Sequence, residues 1–432
     1  MKSILIQNVQ IIDPSQKIHE IGSILITDGK IAWLGKADER PPTSGYTIIE
    51  ANNLIACPGF IDLHCHLRDP GFEEKETIAT GTAAAAKGGF TTVCCMPNTE
   101  PPIDNRSLVD YIKEKAAAEG VIRVLPIGCI TKGRKGETLA EMGELAEAGV
   151  VGFSDDGNPV TNSRLMRQAL DYSRAFDLPV IEHCEDKTLS EGGQINEGVI
   201  STRLGLPGIP AAAEESMVAR DIALAELTGA RLHIAHISTA GSVALVRAAK
   251  LKSLRVTAEV TPHHLTLTEE TVMGYDTNAK VNPPLRTRKD IEALIEGLRD
   301  NTIDAIATDH APHSEVDKLC EFGYAPFGIS ILETAFGMLM GLVQAGKIDV
   351  NLLISKLTAG PAGIIGERFG KLGTLAVGCP ADITLFDPNR EWTVDPRTFV
   401  SKGKNTPLAG AKLKGKVRLT FYQGQIVYKD SD

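Results

Sequence analysis

No stretch of this 432-residue chain offers about 18 uninterrupted apolar residues, which removes a membrane-spanning helix from consideration. The opening residues, MKSILIQNVQIIDPSQ, hold neither an apolar leader region nor an arginine-rich amphipathic face, so the protein is expected in the cytoplasm. The eight cysteines, Cys57, Cys65, Cys94, Cys95, Cys129, Cys184, Cys320 and Cys379, form no C-x-x-C pair, and no zinc ribbon can be built from them. Several sit in apolar strand-like runs and are expected as buried, reduced thiols. An excess of positive charge is also missing. With 45 Lys and Arg against 55 Asp and Glu, dispersed and summing to −10, the surface offers no basic groove for nucleic acid. Nor is there a repeat, a low-complexity tract or a long charge run.

What remains is a chain with 43% hydrophobic residues, enough for a full core. Its length suits two or three domain-sized units, or one barrel of roughly 250 residues with appendages. Residues 1–54 read as short strands with polar breaks, ILIQNVQII, GSILITDGKIAWLG and TIIEANNLIAC, and the Asp-Gly and Asn punctuation predicts hairpins. Residues 366–432 carry the same texture in GCPADITLFDPNREWTV and KLKGKVRLTFYQGQIVYKD. Two β-rich ends flanking one central unit predict a single small sandwich built from both termini.

Between them, residues 55–365 alternate apolar runs with Ala-, Leu- and Glu-rich stretches, the rhythm of a parallel sheet covered by helices. The runs are LIACPGFIDLH, GFTTVCCMP, IRVLPIGCI, GVVGFSD, LPVIEHC, RLHIAHI, RVTAEVTP and IDAIATD, the eight that a closed barrel requires. The fold class is therefore α/β, a (β/α)8 barrel with a small β-sandwich. SLVDYIKEKAAAEG and RLMRQALDYSRAF carry apolar positions at threes and fours and are predicted barrel helices.

His64-Cys65-His66 ends the first run, and alternate residues of a strand share a face, so two imidazoles there can share one metal. By itself an H-x-H is weak, but in such barrels chemistry sits where strands end and loops begin. Polar residues recur at the other run ends: Asn98, Asp155-Asp156, His183, His236 and Asp309. Singly, each reads as a core histidine or a helix-capping aspartate. Together, four histidines and two carboxylates make a ring with N and O donors for two divalent metals, which Asp156 could bridge. His233, three positions before His236, is expected to face the opposite side of its strand in a buried structural role. His310 is expected to face away from Asp309 and His19 to lie on the surface, while His263 and His264 could line the mouth. The Gly-, Pro- and charge-containing segment 310–326 borders the site and is expected as a mobile lid.

GFIDLHCHLRDPG and KETIATGTAAAAKGGFTTVCCMPNTEPPIDN, then GVVGFSDDGNPV, IEHCED, LHIAHIST, TAEVTPHHL, KVNPPLR, ATDHAPH and the closing GCPADITLFD, resemble dihydroorotases of the longer bacterial type, class I of the amidohydrolase superfamily. The resemblance covers essentially the whole chain and implies reversible cyclisation of N-carbamoyl-L-aspartate to L-dihydroorotate in pyrimidine synthesis. It implies that His64, His66 and Asp309 bind one zinc, that His183 and His236 bind a second, and that Asp156 bridges. One or two zinc ions per subunit are expected. It gives Asp309 the proton-transfer role, and Arg68, Asn98 and His313, with metal-side His66, the substrate carboxylate. Asn282 and the backbone at Phe327-Gly328 would hold the ring. Related hydantoinases and allantoinases bridge their metals with a carboxylated lysine on the fourth strand, and GVVGFSDDG has none. Two alternatives stand beside this reading: a hydrolase of another cyclic ureide, and a silent scaffold for aspartate transcarbamoylase, although such scaffolds typically lose zinc ligands that this chain keeps. A transcarbamoylase partner and a homodimer are expected as possible assemblies.

Overall fold

A computed structural model describes residues 3–36, 39, 41 and 44–431; the other positions of the predicted end segments 1–54 and 366–432 lie outside the described residues. Seven parallel strands line a barrel: β1 Phe60–Cys65, β2 Phe90–Cys95, β3 Arg123–Pro126, β4 Val180–Glu182, β5 Leu232–Ile234, β6 Val256–Val260 and β7 Ala305–Ile306. They pair as β1-β2-β3 and as β4-β5-β6-β7, and two seams join these sheets into a ring.

The first seam is the predicted fourth run, GVVGFSD. Phe153 bridges in parallel to Gly128 on one side and Val180 on the other, and the Ser154 and Ile181 amides donate across it to Gly128 O and Phe153 O, each at 2.8 Å. The run holds its place between β3 and β4 without becoming a regular strand. Gly152 permits the tight fit, since a Cβ there would lie 2.9 Å from Ile181 Cδ1 and 3.1 Å from Pro179 O. At the second seam Cys65 bridges His310, and the Asp309 amide donates to His64 O and the His66 amide to His310 O, both at 2.9 Å. The buried Asp62 carboxyl reinforces it by accepting from the Thr308 amide at 2.7 Å and the Thr308 hydroxyl at 2.6 Å.

The predicted first run, LIACPGFIDLH, is two strands. Ile55–Pro58 pairs antiparallel with Ile383–Phe386, and Gly59 then turns the chain into β1. A Cβ on Gly59 would sit 2.2 Å from Thr91 Oγ1, so the junction admits only glycine. The predicted sandwich from both ends is present, and its strands are hydrogen-bonded into one eight-stranded sheet. Ile4–Asp13, Ile18–Thr27, Lys30–Lys36 and Thr47–Glu50 come from the front, Ile383–Thr393, Lys412–Tyr422 and Gln425–Lys429 from the back, and Ile55–Pro58 joins them. Asp28 and Gly29, both at positive φ, make the predicted hairpin turn. Ile6, Ile24, Ala56, Ile383 and Phe421 give this sheet its own apolar core.

The two predicted helices form at Arg106–Glu119 and Ser163–Ser173, where Asn105 and Asn162 cap the first turns by accepting from Leu108 N and from Arg164 N and Leu165 N. Their apolar faces, with Val109, Ile112, Leu165 and Leu170, pack on the outer barrel wall. Ile61, Leu63, Cys94, Ile127, Val151, Ile181, Ala235 and Ala305 plug the barrel interior, so the ring is a floor for the loops at its C-terminal rim. All eight cysteines are free and seven are buried, Cys320 being exposed; burial first, with nearby carboxylates, pushes thiols such as Cys65 and Cys184 well above their ordinary range.

Candidate active site

β1 delivers His64 and His66 to the barrel mouth. The Phe153 seam leads into Asp156, β4 into His183, β5 into His236 and β7 into Asp309. Arg68, His236 and Asp309 have φ of 62°, 32° and 47°, left-handed values that side chains other than glycine rarely adopt. Such strain persists only where surrounding structure enforces it, and here it aims three polar side chains at one space.

Asp156 lies at the centre. Its Oδ1 is 3.5 Å from His64 Nε2, 3.7 Å from His183 Nδ1 and 3.5 Å from His236 Nε2, and its Oδ2 is 3.7 Å from His66 Nε2. Asp309 Oδ1 closes the set, 3.5 Å from His64 Nε2 and 3.0 Å from His66 Nε2. The ligating atoms of His64, His66 and Asp156 lie within 4.8 Å of one another, as do those of Asp156, His183 and His236, all five residues being buried. His64 Nε2 is sealed from solvent with no hydrogen-bond partner, facing two carboxylates. An orphaned imidazole nitrogen amid converging N and O donors fits a divalent cation better than a protein-only network.

Electrostatics agree. Burial opposes ionisation of Asp156, yet the His64, His236 and His66 imidazoles outweigh it and hold the carboxyl well below the carboxylate range. Asp309 is held down likewise, against burial, by His64, His66 and His236. Burial disfavours a cation at His64, but Asp156, Asp309 and Glu259 prevail and raise its pKa.

A cavity of about 660 Å³ opens above this floor. His66, Arg68, Asn98, Asp156, His183, His236, Asn282, Asp309, His313, Phe327 and Gly328 all line it, which brings together every residue expected at the site except His64, buried beneath. Arg68 is brought down to about 10 by burial and stays charged at neutral pH; its Nε donates to Pro312 O at 3.3 Å. His313, drawn to about 3 by burial and then by Arg68, is neutral and donates from Nε2 to Phe327 O at 2.9 Å. Asn98 Oδ1 takes a bond from His66 Nδ1 at 2.9 Å, leaving its amide nitrogen for another partner. Gly328 has φ of 142° with room for no side chain, a Cβ there meeting Ala311 O at 2.6 Å.

Asp155 does not join its neighbour. Its carboxylate accepts from Ile130 N, Thr131 N and the Thr131 hydroxyl, tying down the preceding loop. His310 faces Glu76 and Ser401, away from Asp309, and His264 bonds Thr261 and Pro283 O. His263 is buried with both ring nitrogens unpartnered, and neither it nor His264 lines the cavity. His19 bonds Gln10 and Asn351 in an exposed pair of contacts. His233 corrects the expectation of opposite faces: it is linked to His64 through Glu259, because the chain leaves strand geometry at His236 and the parity count fails. Glu185, Lys187 and Glu259 are contributors that sequence reasoning missed. Glu185 Oε2 lies 2.9 Å from both His183 Nε2 and Asn282 Nδ2 and 2.6 Å from Lys187 Nζ, and its place two residues after His183 was the available signal.

Residues 53–242 match the family model described as Dihydro-orotase-like, and residues 203–428 match the model described as Amidohydrolase family. A dihydroorotase of Caldanaerobacter subterraneus subsp. tengcongensis is 55% identical over 411 residues, 95% of this chain and 94% of its own length. One from Geobacter sp. (strain M21) is 53% identical over 428 residues, 99% of each chain. Among solved structures, a dihydropyrimidinase from Brevibacillus agri superposes with a TM-score of 0.86 at 24% identity, covering 100% of this chain and 96% of that one. An L-hydantoinase from Arthrobacter aurescens gives 0.88 at 23% identity, covering 100% and 97%. Those two likenesses speak to architecture, the barrel with its β-sandwich. Sequence identity above half over nearly the full length speaks to kinship, and the chain belongs to the dihydroorotase family.

Proposed function

We propose that the chain is a zinc-dependent dihydroorotase, interconverting N-carbamoyl-L-aspartate and L-dihydroorotate in pyrimidine synthesis in the cytoplasm. The observation that carries this reading is one cavity holding Asp156 between two groups of imidazoles, with the buried cation of Arg68 on its wall. We assign His64, His66 and Asp309 to one zinc, His183 and His236 to a second, and Asp156 to both. Metals bound there would make a water acidic and polarise an amide carbonyl.

The protein's own groups then have distinct tasks. Arg68 offers a planar fork for the substrate carboxylate, Asn98 adds its free amide nitrogen, and His313 would turn its single Nε2–H from Phe327 O to the carboxylate. Asn282 and the backbone at Phe327-Gly328 hold the ring. In hydrolysis, a water oxygen bonds to the ring carbonyl carbon as Asp309 takes its proton; the C–N bond breaks and Asp309 returns that proton to the departing nitrogen. In biosynthesis the same carboxylate acts in reverse, and water leaves. A neutral hydantoin has no group for Arg68, which disfavours a general cyclic-ureide hydrolase.

Zinc-replete protein assayed with L-dihydroorotate, carbamoyl aspartate and hydantoin tests this. Turnover of the first two that exceeds hydantoin turnover and is lost in Asp309→Ala is the expected result. Hydantoin as the better substrate, or silence with and without added aspartate transcarbamoylase, would reject it. Co-elution of the two proteins, together with the chain's own oligomeric state, tests the proposed assemblies.

A further inference from the structure

We propose that Glu259, braced by His233, is the positioning residue that makes His64 a metal ligand by dictating which of its ring nitrogens carries the proton. The inference rests on the assignment of His64 as a ligand. Glu259 Oε1 lies 2.9 Å from His64 Nδ1, and Oε2 lies 3.1 Å from His233 Nε2. A carboxylate only accepts hydrogen bonds, so each histidine must donate to it. In neutral His64 the proton therefore sits on Nδ1 and the lone pair on Nε2, the atom that faces Asp156 and Asp309 without a partner.

The network continues one step further in the same direction. With its proton on Nε2, His233 has a lone pair on Nδ1, and the Thr257 hydroxyl 2.8 Å away donates to it. From Thr257 through His233 and Glu259 to His64, every donor finds an acceptor in only one arrangement of protons. Its core lies inside the barrel: His64, Glu259 and His233 are at most 1% exposed, and only Thr257 at the far end is half-buried. The other acceptors on metal-side imidazoles are in different positions. Asn98 and Glu185 line the open cavity, where solvent and substrate compete, and Glu185 is shared with Lys187 and Asn282. Outer carboxylates of this kind raise the basicity of a ligating imidazole and fix its orientation.

The rival explanation is that Glu259 is a buried charge paired with His233 whose only task is stability. Glu259→Gln separates the two. A glutamine amide can accept from one histidine but must donate to the other, so it also admits His64 protonated on Nε2, where no metal can bind. Metal-stripped wild type, His64→Ala, Glu259→Gln and His233→Gln are titrated with Zn2+ against a chromogenic chelator, and the thermal midpoint of each metal-free protein is recorded. The expected result for Glu259→Gln is a zinc affinity weakened about 10- to 100-fold at the step that His64→Ala also impairs. His233→Gln, which leaves the carboxylate facing His64, should lose less. In zinc-loaded wild type with 15N-labelled histidine, a protected proton should appear on Nδ1 of His64, assigned by its loss in His64→Ala; this readout stands even if Glu259→Gln fails to fold. A folded Glu259→Gln with wild-type zinc affinity, or a His64 bound through Nδ1, overturns the inference while leaving the zinc assignment intact. Wild type that binds no zinc overturns both.

Discussion

At the residue scale, the two substitutions that best separate chemistry from recognition are at Asp309 and Arg68. Removing a positioned general acid–base group costs about 10²- to 10⁴-fold, so Asp309→Ala should lower kcat by at least that much, read by steady-state kinetics in protein of unchanged fold. Arg68→Lys keeps the charge but loses the fork, and a charge-assisted pair is worth about 1.5–3 kcal/mol, so KM for dihydroorotate should rise roughly 10- to 100-fold with kcat far less affected. An equal fall in kcat would show that Arg68 acts on the transition state instead. The convergence of these side chains on one cavity was legible because polar residues at run ends have one place to go in a barrel. Glu259 and His233 were hidden inside strands, where RVTAEV and RLHIAH read as ordinary barrel strands. The parity argument that set His233 aside assumed an extended chain through His236, and φ of 32° there breaks it.

At the element scale, close packing at two glycines decided what periodicity could not show. The run LIACPGFIDLH has no polar break, yet it divides at Gly59, and GVVGFSD pairs on both sides without a ladder. Gly59→Ala would force a Cβ against Thr91, and overpacking of this kind costs about 1–3 kcal/mol, which urea denaturation should detect as a lowered midpoint. The segment expected as a lid is held by two buried ammonium groups. Lys280 Nζ donates to Phe322 O and Gly323 O, and Lys318 Nζ to Thr277 O and Pro326 O. Burial lowers Lys280 to about 8, and burial with the neighbouring Lys280 lowers Lys318 to about 7. Unfolded lysines titrate near 10.4, so from pH 7 to about 10 the unfolded chain holds protons that the folded one has shed, and stability rises with pH across that window. Lys280→Met with Lys318→Met should flatten that rise when unfolding midpoints are compared at pH 7 and pH 9.5.

For the whole molecule, the central prediction concerns metal. Ligands that bind only the folded chain stabilise it by about 2.7 kcal/mol at a hundred times Kd, so chelation should lower both activity and the thermal midpoint, and zinc should restore both. Restored activity without a shift in midpoint would argue against ligation inside the barrel. The architecture was readable at this scale because strand-rich ends and eight central runs leave few topologies open. The hydrogen bonds that unite the ends into one sheet were not, since the register of residues 55–58 against 383–386 leaves no local trace.

That sheet also bears on how the protein is made. Ile55–Pro58 is the stalk from which β1 rises; all four of its residues pair with Ile383–Phe386, and only Ile55 and Ala56 also pair with Gln10 and Ile11. On a ribosome, the first barrel strand emerges long before the partner that steadies its base. Until then the stalk is an open edge, and a chain cut short ahead of residue 383 carries that edge permanently, which marks prematurely terminated products for aggregation or proteolysis.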